Sequence, residues 1–202
     1  MSLTHAAHLE DAYGDPLLAE RNRVTVLELS ATLRRLFWSE KRGLLADDLS
    51  HDSFSEHAQC LALLFDVIEP ERRELCLRHL LDDGDLHRAT IYFSFYLFET
   101  MNRFGREDII VDKLSFWNDL VDRGLKTPVE QPEPTRSDCH AWGSHPLFHL
   151  HASLVGIRPL APGFRSVRIA PMKGGRARQL HSVIPHPGGQ IEADLTFPAP
   201  ER

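Results

Sequence analysis

The chain has 202 residues, enough for one domain or one and a half, with 42% hydrophobic residues and a formal net charge of −6. That balance gives no general basic character and argues against nucleic acid or an anionic membrane surface as the main partner. No apolar run is long enough to span a bilayer, and no charged-then-apolar signal segment opens the chain.

Met1 to Gly14 is polar with scattered Ala and Leu and reads as a helical turn. Asp15-Pro16 is a helix start, a cap residue followed by proline in the first turn. From Leu17 to Trp38, apolar residues at Leu17, Val24, Leu27, Leu33 and Leu36 or Phe37 recur at helical spacing. Arg21, Arg23, Arg34 and Arg35 fall mostly on the other side and read as a solvated face. Ser39 to Asp52 is a loop. Ser53-Phe54-Ser55-Glu56 has the capping-box pattern, and the helix from Phe54 to Ile68 is apolar nearly all round. Glu69-Pro70 starts the next helix, which runs to about Leu81 and ends in the turn Asp82-Asp83-Gly84-Asp85.

An aromatic-rich helix is predicted from His87 to Phe104, stopped by Gly105. Another follows from Arg106 to Arg123, stopped by Gly124, and a last one runs from Ala141 to Val155, ended by Gly156. Six helices with sharp turns make a mainly α chain of antiparallel helix hairpins. After Arg158 the character changes. Phe164 to Ile169, Leu180 to Ile184 and Gln190 to Phe197 alternate as strands, the last two joined by Pro185-His186-Pro187-Gly188-Gly189. The division expected is a helical part, 1–157, and a short antiparallel β segment, 158–202.

The stretch from Lys126 to Leu147 stands apart. Pro128, Pro132 and Pro134 hold it extended and stop helix or sheet from forming. It carries Glu130, Glu133, Arg136, Asp138, His140 and Trp142, more chemistry than a connector needs. Carboxylates for acid–base work, polar groups for hydroxyls and a flat ring for a sugar face are what a carbohydrate site uses. Glu130 is the first candidate for a general base, with its pKa raised toward neutrality by partial burial; Glu133 is the second. The competing reading of both is an exposed loop carboxylate. His140 and Trp142 read either as a sugar hydrogen bond and a ring wall, or as a helix start capped by Asp138 with an aromatic in the core. Tyr92, Phe93 and Phe95 could line a pocket or pack inside.

His145 and His149 lie four apart and could share a helix face, but no acidic or Cys ligand has fitting spacing and no H-E-x-x-H pattern occurs. Packed or solvated histidines are expected, with no metal and no cofactor. Gly174-Gly175 and Gly188-Gly189 read as turns without a phosphate-loop pattern, and no G-x-S-x-G elbow supports a hydrolase triad. The cysteines Cys60, Cys76 and Cys139 are odd in number and widely spaced, so a reducing compartment and a cytoplasmic location are expected.

The run Pro132-Glu133-Pro134-Thr135-Arg136-Ser137-Asp138-Cys139-His140-Ala141-Trp142 resembles the C-terminal part of bacterial α-L-rhamnosidases of glycoside hydrolase family 78. So do Ser53-Phe54-Ser55-Glu56-His57-Ala58-Gln59, Thr90-Ile91-Tyr92-Phe93-Ser94, and Gly156-Ile157-Arg158-Pro159 with Pro162-Gly163-Phe164. The resemblance implies the second half of an (α/α)6 toroid, then the opening of a β-sandwich. It implies release of terminal α-L-rhamnose with inversion, in which an acid and a base stand roughly 6.5–9.5 Å apart to admit a water. On this resemblance Thr127-Pro128-Val129-Glu130 matches the element carrying the general base. His140 matches a sugar-binding histidine, Tyr92 and Trp142 stand at the pocket rim, and Arg136 and Asp138 join the substrate-binding set. The family's general acid lies upstream in a stretch that nothing before Glu130 matches. The chain alone is therefore expected to be inactive, with self-association or a missing N-terminal half as its partner besides a rhamnose-containing glycoside. The alternatives are another (α/α)-toroid glycosidase or lyase, or a non-catalytic helical interaction module.

Overall fold

The computed structural model describes residues 1–173 and 178–197; the Gly174-Gly175 turn lies outside the described residues. The chain is mainly α with short antiparallel strand pairs, and it divides into two compact units, Met1–Ala89 and Thr90–Arg202.

The first unit opens with α1 (Ser2–Tyr13), a full helix where the sequence pointed to a turn. Only Ala7 of α1 is buried, so it leaves little apolar periodicity to read. It forms a hairpin with α2 (Pro16–Phe37), which starts as the sequence indicates: Asp15 accepts the Leu17 N–H at 2.8 Å and Pro16 opens the first turn. An Arg23–Asp11 ion pair crosses the hairpin.

Two expectations for α2 fail. Its apolar stripe does not face a core, since Ala19 is its one buried residue while Leu17 is 80% and Leu27 69% exposed. Nor is Arg34 on a solvated face: it is partly buried, pairs with Glu69 at 2.8 Å and donates to the Val67 carbonyl at 2.8 Å.

After α2, β1 (Trp38–Ser39) pairs with β2 (Leu44–Leu45) through a turn in which Gly43 takes φ +62°. Then comes α3 (Glu56–Leu64). Its cap is Ser55, not Ser53: the Ser55 hydroxyl accepts from Ala58 N and donates to Asp47 at 2.7 Å. The expected capping-box role of Glu56 is also overturned. Its buried carboxylate accepts from Arg88 at 2.8 Å and from the Ala89 N–H at 2.6 Å, which fixes the segment after the next helix. Asp66, at φ +55°, turns the chain before Ile68, so α3 ends earlier than its apolar run suggested.

The last helix of the unit is α4 (Pro70–Asp82). The core between α3 and α4 holds Leu44, Cys60, Leu63, Ile68, Cys76 and Leu80. Within it Gln59, fully buried, is satisfied by both backbone groups of Leu45 (2.9 and 2.7 Å) and by the Ser55 carbonyl (3.1 Å).

In the second unit the expected helix over His87–Phe104 shrinks to α5 (Ser94–Arg103). The residues from His87 to Ala89 are held straight by the Ser55–His87 bridge and by Glu56, and the Thr90 hydroxyl accepts from Phe93 N at 3.2 Å to begin the turn. The expected helix over Arg106–Arg123 is two pieces, α6 (Glu107–Lys113) and α7 (Ser115–Asp122), joined at Leu114. The segment Ala141–Val155 changes winding along its length. It is 3₁₀ over Ala141–Ser144, α over α8 (Pro146–His149) and π over Leu150–Val155, and it closes on Gly156 at φ +78°.

The strands follow. β3 (Ile157–Pro159) pairs with β4 (Val167–Ile169); the rest of the strand expected from Phe164 is lost to a 3₁₀ turn over Pro162–Phe164. β5 (Gln179–His186) and β6 (Gly189–Thr196) form a hairpin around Pro187-Gly188, with Ser182 opposite Ala193. One face of it packs Leu180, Ile184, Ile191 and Leu195 against Val155 and Ile157.

A glutamate-bearing loop on a short aromatic core

The loop 126–141 folds back on itself. Glu130 N donates to the Ser137 carbonyl at 2.9 Å and His140 N to the Pro128 carbonyl at 2.8 Å, and the Thr127 hydroxyl donates to the Asp138 carbonyl. The prolines keep each limb extended, so consecutive side chains point to opposite faces. Val129 goes inward, 2% exposed, and packs with Ile91 and Leu120 against Phe116, Trp117 and Leu125. Glu130, its neighbour, therefore goes outward. Trp117 Nε1 donates to the Gly143 carbonyl at 2.7 Å, and Gly143 sits so close that a Cβ there would meet Pro128 Cβ at 2.8 Å and the Val129 carbonyl at 2.9 Å. The indole and this close approach lock the 3₁₀ turn onto the loop.

Around the outward face the structure gathers most of the candidates. Arg136 grips both carboxylate oxygens of Glu130, with Nε donating to Oε2 at 2.9 Å and Nη2 to Oε1. The Trp142 ring lies 4.9 Å from Tyr92 and 5.2 Å edge-on to His140. Trp142 is 62% and Tyr92 47% exposed, so both rings stand open to solvent. Asp138 contributes its carbonyl to the loop ladder, and its side chain caps nothing at the 3₁₀ turn. Glu133 bends back to accept the Thr135 N–H at 3.1 Å.

One expectation for Glu130 is reversed. Its pKa is lowered, not raised, first by the hydrogen bond from Arg136, then by the charges of Arg136 and His140. The guanidinium on the carboxylate outweighs the desolvation that acts to raise it.

The two histidines in question belong to the interior. His145 Nε2 lies 3.1 Å from the Ile91 carbonyl and 2.8 Å from Ser94 Oγ; His149 Nδ1 lies 2.9 Å from Ser153 Oγ. Phe95, Phe98 and Trp117 surround His145, with ring centroids 5.2–6.1 Å away. Burial lowers the His145 pKa to about 4 and the His149 pKa to about 3, so both rings are neutral. Beside them Arg158 makes a two-point pair with Glu99 (3.0 and 2.7 Å) and donates to the Ala152 carbonyl at 2.8 Å. This brace carried no sequence signal, because its partners are 59 positions apart. Among the described residues, His181, Glu192 and Asp194 place three ligand-type atoms within 4.8 Å, all on the exposed face of the β5–β6 hairpin.

No family model matches the sequence, and no curated protein does. Solved structures do. The chain is similar to the GH78 family rhamnosidase of Bacillus sp. GL1, at 24% identity and a TM-score of 0.88 over 98% of this chain. It is also similar to a rhamnosidase from Klebsiella oxytoca solved with rhamnose bound, at 21% identity and a TM-score of 0.66 over 73% of this chain. The chain spans about a quarter of the Bacillus protein, 23%, and 31% of the Klebsiella one. At these identities the likeness is one of fold, to a segment of a much longer chain in each case.

Proposed function

We propose that this chain is the C-terminal portion of a glycoside hydrolase that releases terminal α-L-rhamnose with inversion, with Glu130 as general base. In this reading 1–157 is the second half of an (α/α)6 toroid and 158–202 the opening of a β-sandwich. The observation that carries it is the 0.88 TM-score to a rhamnosidase across 98% of the chain. The Arg136–Glu130 pair and the contacting rings of Tyr92, Trp142 and His140 support it.

Held by Arg136, Glu130 is ionised at neutral pH, and each carboxylate oxygen keeps a lone pair to accept a proton from water. His140 would hydrogen-bond a sugar hydroxyl, and Trp142 with Tyr92 would stack on the apolar face of a 6-deoxy sugar. The general acid comes from residues outside this chain. Each acid–base role contributes roughly 10²–10⁴-fold, so the chain alone loses most of the rate and is nearly inert. L-Rhamnose titrated into the labelled chain is expected to shift the Trp142 indole and His140 resonances saturably, with no rhamnose released from an aryl α-L-rhamnoside. Silence at both residues up to high millimolar sugar would remove the functional reading. Release that disappears in Glu130→Gln would remove the inactivity and keep the base.

The apolar residues that α2 leaves exposed supply the partner. We infer that the isolated chain self-associates through Leu17, Val24 and Leu27. Sedimentation velocity is expected to show mass growing with concentration, and Leu17→Glu with Leu27→Glu to restore a monomer. A monomer at every concentration in the unmodified chain would count against it.

A further inference from the structure

A cavity opens between α7 and the loop. It measures about 330 Å³ and is lined by Phe116 and Asp119 of α7, by Arg123 just past its C-terminal end, and by Val129, Gln131, Pro132 and Glu133 of the loop. The volume lies at the low end for small-molecule pockets, roughly 300–1,000 Å³, the scale of one sugar ring.

We propose that this cavity is a carbohydrate subsite, distinct from the Glu130 mouth, that takes one neutral hexose or deoxyhexose residue. The lining combines the two things such a ring needs. Phe116 offers a flat apolar surface for its C–H face. Two carboxylates, a guanidinium and an amide offer acceptors and donors for its hydroxyls. Asp119 and Arg123, one helical turn apart, have side chains with no hydrogen bond or ion pair to other described residues, so their hydrogen-bonding capacity is available to a ligand. Glu133 spends one oxygen on the Thr135 N–H and Gln131 its amide nitrogen on the Pro134 carbonyl, which orients both and leaves an oxygen of each to accept. Two acidic groups against one basic group leave a net negative lining, which disfavours uronic acids and other anions.

The lining of this cavity is the same whether or not Glu130 acts on rhamnose. D-Glucose, D-galactose, L-rhamnose and D-glucuronate are the probes, followed by amide chemical shifts in the intact chain. At least one neutral sugar is expected to shift Asp119, Arg123, Gln131 and Glu133 saturably, with glucuronate weaker. Asp119→Ala with Arg123→Ala, both exposed, is expected to weaken that binding tenfold or more while leaving shifts at Trp142 and His140 unchanged; an unaltered thermal melt verifies the fold. No saturable shift with any neutral sugar, tighter binding of glucuronate, or binding that survives the double substitution would each overturn the proposal.

Discussion

Gly156→Ala is expected to destabilise the second unit by on the order of 2–5 kcal/mol. Two costs add at this one position. Gly156 ends the π-wound segment at φ +78°, ψ 24°, a left-handed conformation that costs an L-residue with a side chain roughly 1–2 kcal/mol. A Cβ would also meet the Ala170 carbonyl oxygen at 1.9 Å and its carbon at 2.3 Å. These are backbone atoms that cannot swing aside, because Ala170 N donates to the Gly156 carbonyl at 3.1 Å and β3 pairs with β4 directly beside it. Relief would require parting that pair. Urea unfolding followed by Trp117 and Trp142 emission reads the effect as a lower midpoint. A loss under about 1 kcal/mol, the ordinary size for a helix-end change, would mean that the strand pair is not fixed where it is described.

Lowering the pH from 7 to 5 is the second large perturbation. His145 and His149 are neutral inside the aromatic cluster, with folded pKa values of about 4 and about 3, against an unfolded value near 6.5. The unfolded chain binds protons below pH 6.5 and the folded chain does not. Their contribution is therefore complete above pH 6.5 and declines as the pH falls toward 4 and 3. The slope reaches about 1.4 kcal/mol per pH unit for each histidine. The charged groups facing them do not reverse this. Glu99 stands 3.7 Å from His149, but it is already engaged by Arg158, whose own charge opposes protonation of the ring. The urea midpoint is expected to fall between pH 7 and pH 5, and His145→Asn with His149→Gln to flatten that fall. An unchanged midpoint in the unmodified chain would rule the mechanism out.

Much of the helical frame was legible because local chemistry decides it. Asp15-Pro16 and Pro70 start helices wherever the chain goes next, and Gly105, Gly124 and Gly156 stop them by entering the left-handed region. The hairpin around Pro187-Gly188 was legible for the same reason. What was not legible depends on distant partners. His87 to Phe93 has helical composition, yet a strand-like bridge and the Glu56 carboxylate claim its first residues. The capping motif at Ser53 was real in pattern, but the Ala58 N–H goes to Ser55, while the Ser53 hydroxyl donates to Asp47 at 3.2 Å. α1 buries one alanine and gave no stripe to read.

The candidate site divides along the same line. Its residue types and their confinement to one proline-braced loop could be read from spacing. The direction of the Glu130 shift could not, because it depends on the loop bending until Arg136, six positions on, lies against the carboxylate.

The inward Val129 and outward Glu130 set unequal tolerances to insertion and deletion along this segment. One residue added or lost between Leu125 and Val129 would exchange the two, placing a carboxylate among Ile91 and Leu120 and a valine in water. Between Pro132 and Thr135 the same change falls in an outer arm beyond the Glu130–Ser137 and Pro128–His140 rungs. A lineage carrying this loop is thus free to vary its outer arm in length, while the few residues before the glutamate must keep their count.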